Sequence, residues 1–90
     1  MDKEKAETIA LQALSFIVRD DDLLERFLTN SGLTFNELKE RVHEPDFLGG
    51  ILDEILCNDK DLLNFCSTSS LNPEIIILAR RALPGGFTLE

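Results

Sequence analysis

Apolar residues recur along this chain three and four apart, the spacing of helices that bury one face. Ala6, Ile9, Ala10, Ala13, Leu14 and Ile17 make the first such stripe, widened by Leu11 and Val18, and predict a helix over 2–18. Asp2 suits its N-cap, and Arg19 suits the negative end of its dipole. A shorter helix is expected over 22–30, with Leu23, Leu24, Phe27 and Leu28 on one side and Asp22 with Glu25 as a capping box. Gly32 can then take the left-handed conformation, with Leu33 packing on Leu28 as in a Schellman motif. Thr34 and Glu37 form the next capping box, stapled by Leu33 and Leu38. The third helix is predicted over 35–43, burying Phe35, Leu38 and Val42.

Pro45 ends that helix and opens a fourth over 45–57, where Leu48, Ile51, Leu52, Ile55 and Leu56 give the clearest period in the chain. Gly49 and Gly50 lie inside it, at a cost of about 1 kcal/mol each relative to alanine, so another helix is expected to cross close to them. Asn58 or Asp59 caps a fifth helix to residue 67, with Leu62, Leu63, Phe65 and Cys66 inward. Asn72 as N-cap and Pro73 as first residue open a sixth, to residue 83, and Pro84-Gly85-Gly86 stops it. Residues 87–90 read as a tail, with Leu89-Glu90 a cloning remnant ahead of an affinity tag. The prediction is an all-α, six-helix bundle-like single domain over 1–86.

The halves resemble each other at an offset of 38 residues. Leu14, Ile17 and Val18 match Leu52, Ile55 and Leu56; Asp21, Leu24, Phe27 and Leu28 match Asp59, Leu62, Phe65 and Cys66; Leu33 and Leu38 match Leu71 and Ile76. If this is a repeat, two three-helix units pack their apolar faces together about an approximate two-fold. The match also makes Cys66 a core residue and leaves Cys57, opposite Arg19, more exposed.

Composition sets limits on function. Ninety residues make one domain, and a net charge of −8 repels nucleic-acid backbones and anionic membranes. The acidity is concentrated between Glu44 and Glu74, where Lys60 is the only base. That stretch reads as a solvated face or as a docking surface for a basic partner. Two cysteines without a Cys-x-x-Cys pair suggest a reduced, cytoplasmic protein, and with one histidine, His43, they are too few for a zinc site. The charged start does not resemble a signal peptide, and no run approaches the roughly 20 apolar residues of a membrane span.

No cofactor and no catalytic site is expected. Asp20, Asp21 and Asp22 invite a metal reading, but no calcium-loop pattern follows, and acids at a helix start are explained by capping. Asp53 and Glu54 are neighbours on a helix and point about 100° apart, so they cannot jointly flank a bond. No Gly-x-Ser-x-Gly or His-Glu-x-x-His pattern occurs. Residues 24–42 do look like a helix-turn-helix, which makes DNA binding the alternative function. Against it stand Leu28, where a small residue usually lets the helices cross, and a second helix whose Glu37 and Glu40 offset Lys39 and Arg41.

A protein–protein interaction module fits best, and the sixth helix carries the clue. Ile75, Ile76, Ile77, Leu78 and Ala79 are five consecutive apolar residues, more than one helix face can hold. With Ile76, Ala79 and Leu83 in the core, Ile75 or Ile77 together with Leu78 would be exposed and mark an association surface. Alternatively the helix is buried all round, and Arg80 and Arg81 merely complement its C-terminus. On the first reading the partner surface comprises Ile75, Ile77, Leu78, Arg80 and Arg81. Asp53, Asp59 and Asp61 are then the acids that the arginines of a second copy would meet in a homodimer.

The segments Leu11-Gln12-Ala13-Leu14-Ser15-Phe16-Ile17, Asp22-Leu23-Leu24-Glu25-Arg26-Phe27-Leu28, Ser31-Gly32-Leu33 and Ala82-Leu83-Pro84-Gly85-Gly86 resemble an uncharacterised family of small, acidic, mostly alphaproteobacterial proteins classed as a domain of unknown function. These motifs are caps and core leucines, so the resemblance implies a stand-alone bacterial cytoplasmic protein and no particular chemistry.

Overall fold

Each expected helix forms, and each begins at a capping side chain or a proline. The computed structural model describes residues 1–84, with α1 (Lys3–Val18), α2 (Asp21–Ser31), α3 (Phe35–Arg41), α4 (Pro45–Leu56), α5 (Asp59–Ser69) and α6 (Pro73–Arg81). No strand occurs among the described residues, so the fold is all-α. Gly85, Gly86 and the expected tail lie outside them.

The caps follow local chemistry. Asp2 accepts from the Lys5 amide at 2.8 Å, Asn58 from Asp61 at 3.1 Å and Asn72 from Ile75 at 3.0 Å. Thr34 and Glu37 make the reciprocal capping box, at 3.1 and 2.9 Å. The cap of α2 is a correction: it is Asp20, whose Oδ1 accepts from the amides of Asp22 (3.0 Å) and Leu23 (3.2 Å), and not Asp22. Asp20 has extended backbone, while Asp21 and Asp22 already sit in the first turn, where the helix dipole favours them. Asp20→Ala is therefore expected to cost about 1 kcal/mol, and Asp22→Ala no more than about 0.5 kcal/mol. Thermal unfolding followed by circular dichroism checks this; equal losses from the two would refute the assignment.

Gly32 closes α2 at φ 75°, its amide bonded to the Leu28 carbonyl at 2.9 Å. Ser70 occupies the corresponding left-handed position after α5 at φ 62°. There Leu71 donates to the Cys66 carbonyl at 3.1 Å, the six-to-one bond of a Schellman end, which the sequence had suggested after α2 instead. The 38-residue similarity is thus visible in local structure: α5 repeats the bounds of α2, α6 starts in step with α3, and caps and left-handed ends correspond. The third helices part company in packing. α6 lies against α1, α4 and α5, whereas α3 contributes only Leu38 to the fully buried core.

The α1 stripe is buried as expected, and α4 adds Phe47, Leu48, Ile51, Leu52 and Ile55. Phe27 of α2 meets Phe47 at 6.0 Å between ring centroids, tilted by 59°. Four residues expected inward or beside the stripe are exposed instead. Leu63, 60% exposed, stands two residues from Phe65 and so about 200° round its helix. Phe35, 45% exposed, lies at the start of α3, which buries only Leu38 fully, with the Lys39 ammonium 5.4 Å above its ring. Leu11 and Val18 flank the α1 stripe without entering the core. The close crossing expected at the glycine pair is real: a Cβ on Gly49 would stand 2.9 Å from the Pro84 carbonyl oxygen and 3.2 Å from Arg80 Nη1.

Candidate functional site

The surplus of apolar residues on α6 resolves into two faces. Ile76 and Ala79 are buried with Leu83, while Ile77 and Leu78 remain 41% and 45% exposed and Ile75 is half-buried. The helix is therefore not buried all round. Asn72, Glu74, Ile75, Ile77, Leu78 and Arg81 border one open depression of about 360 Å³. Four of the residues expected on a partner surface, Ile75, Ile77, Leu78 and Arg81, are brought together there.

The rest of the expected surface is not assembled. Arg80 turns inward, its Nε bonded to Asp53 Oδ1 at 2.6 Å and its Nη1 to the Leu83 carbonyl at 3.0 Å. This ties α6 to α4 beside Gly49 and removes both Arg80 and Asp53 from the proposed contact. Asp61, only 8% exposed, accepts from Arg26 of α2, whose Nε is also 3.7 Å from Glu54 of α4. An acid expected to meet a second copy is thus tied up within the chain, and of the three only Asp59 stays exposed. Pairings across 27 and 35 residues leave no mark at the spacing of a helix turn, which is why sequence reasoning missed them.

A second depression, of about 390 Å³, opens between α1 and α5, at a place to which the apolar stripes did not point. Phe16 and Phe65 are tilted against each other at 5.4 Å, rimmed by Gln12, Ser15, Arg19, Asp20, Thr68 and Ser69. The one available signal was Phe16, a large apolar residue outside the α1 stripe. Two members of the polar rim are committed to architecture: Asp20 caps α2, and Ser69 Oγ donates to the Phe65 carbonyl at 2.7 Å.

The remaining chemical candidates have structural roles. Asp20 to Asp22 start a helix, and no cluster of three metal-type side chains gathers among the described residues. Cys57 is exposed, but partial burial of its sulfur and the Glu54 carboxylate push its thiol up, and burial does the same for Cys66. A raised thiol is mostly protonated at neutral pH and a poor nucleophile. On the helix pair 24–42, Lys39 covers Phe35, Arg41 pairs with Glu44 at 3.2 Å, and Arg26 is engaged by Asp61. No helix among the described residues is long and apolar enough to cross a membrane.

No curated protein and no solved structure matches the chain. A family model described as protein of unknown function (DUF3572) matches residues 3–86, covering all six helices, and the chain belongs to that family.

Proposed function

We propose that this protein is a non-catalytic module acting through protein–protein contact, with the outer face of α6 as its contact surface. The observation that carries the reading is that Ile77 and Leu78 stay exposed on a helix whose other face is fully in the core. Large apolar side chains grouped beside one another on a small domain are a common mark of association surfaces. Two unpaired thiols suit a reducing compartment such as the cytoplasm. DNA binding through α2 and α3 has less support, because their basic side chains face acids or an aromatic ring and the net charge is −8.

The test uses Ile77→Asp and Leu78→Asp. Both positions face solvent, so each variant should keep its folding stability within about 0.5 kcal/mol. Each should also lose the proteins that wild type retains in an affinity pull-down from its host. Variants that fold and keep the same partners would rule this surface out. Tight, salt-sensitive binding of mixed-sequence duplex at low salt would favour the DNA reading instead.

A further inference from the structure

Glu74, Ile77, Leu78 and Arg81 stand at positions i, i+3, i+4 and i+7 of α6, so they form one stripe two turns long. All four border the same depression. The stripe carries an acid at one end, a base at the other and two large aliphatic side chains between them. Glu74 and Arg81 are exposed, and neither has an ion-pair partner among the described residues. Every other arginine on α2 to α6 is paired with a carboxylate.

This order of side chains is complementary to itself when reversed. A two-fold axis perpendicular to the helix, passing between Ile77 and Leu78, exchanges the position of Glu74 with that of Arg81. Two copies of α6 laid antiparallel would set each Glu74 against Arg81 of the second copy and close the aliphatic pairs over each other. Laid parallel, like charges would meet at both ends. Charge and position therefore choose one partner and one direction, the self-matching arrangement of an isologous dimer.

We propose that the partner of the α6 face is a second copy of this chain, docked antiparallel through Glu74, Ile77, Leu78 and Arg81. This rests on the reading of that face as the contact surface and adds the identity of what covers it. A nine-residue helix, about 13 Å long, offers less than the usual area of a permanent interface. The dimer is accordingly a weak one, with a Kd on the order of 10–100 μM.

Sedimentation of the full chain between about 10 μM and about 1 mM tests this. Salt of about 0.15 M screens the repulsion between two acidic bodies. Wild type should pass from monomer to dimer across that range. Glu74→Arg and Arg81→Glu should each weaken association at least about tenfold, because each sets like charges opposite one another. An equimolar mixture of these two variants should associate again, since each then supplies the charge that the other lacks. The double variant Glu74→Arg/Arg81→Glu should dimerise as wild type does. A wild type that stays monomeric at the highest concentration, a dimer indifferent to the single reversals, or a mixture that fails to associate would each overturn the proposal. If wild type is monomeric while Ile77→Asp still loses captured proteins, the self-pairing fails and the contact surface survives. A wild-type dimer that persists unchanged in both Ile77→Asp and Leu78→Asp sinks the two together.

Discussion

Phe27→Ala should remove about 3–5 kcal/mol of folding stability, the range for emptying a buried aromatic site. The ring comes from the middle of α2, is 1% exposed, and rests against Phe47 of α4. α2 has only Leu23 besides Phe27 wholly in the core, so losing the ring loosens the attachment of the entire helix. A 90-residue domain is held by roughly 5–13 kcal/mol, so the variant keeps about three quarters of its stability at best and at worst almost none. The midpoint of thermal unfolding should fall by about 15–30 °C. Phe47→Ala should be costly too, and the double variant should cost less than the two single losses added, because they share one contact. Urea unfolding followed by circular dichroism measures all three. A loss below about 1 kcal/mol for Phe27→Ala would mean that α2 is not docked through this ring.

That anchor was legible in the residues, as was most of the local architecture. Stripes, capping boxes and a left-handed glycine are decided within one or two helical turns, so Ala6 to Ile17, Thr34 with Glu37 and Asn72 with Pro73 could be read directly. Errors arose where several neighbours offered the same chemistry. Three successive aspartates could all cap α2, and backbone conformation, not side-chain type, selected Asp20. Leu62 and Leu63 were equally apolar, and only the direction fixed by Phe65 left Leu63 outside. The candidate surface was half legible. Five consecutive apolar residues either overflow one helix face, exposing Ile75 or Ile77 with Leu78, or are buried all round, and it is Ile77 and Leu78 that lie outward. The charges around them were harder, because Arg80 and Arg81 are adjacent and identical. Which one turns toward Asp53 depends on how α6 crosses α4, a tertiary fact with no trace in either segment.

That crossing can be tested at Gly49, where Gly49→Leu should cost about 3 kcal/mol, the upper range for forcing volume into a packed joint. In an ordinary helix interior, replacing glycine stabilises, and Gly49→Ala alone would gain about 1 kcal/mol from propensity. Here the added Cβ meets the Pro84 carbonyl oxygen at 2.9 Å, closer than such atoms approach, and Arg80 Nη1 at 3.2 Å. The carbonyl belongs to the backbone just after buried Leu83, and the guanidinium is held by Asp53 and the Leu83 carbonyl, so neither can withdraw freely. Gly49→Ala is therefore expected to destabilise on balance, by about 1 kcal/mol, with steric cost exceeding the propensity gain. Leucine adds three further carbons and should drive Arg80 away from Asp53, breaking the ion pair that ties α6 to α4. Because Gly49→Leu already breaks that ion pair, adding Arg80→Ala to it should cost much less than Arg80→Ala costs in wild type. Thermal and urea unfolding of the four proteins give the comparison. A Gly49→Ala variant that unfolds at a higher temperature than wild type would show that α6 and the turn after it stand further from α4 than this packing requires.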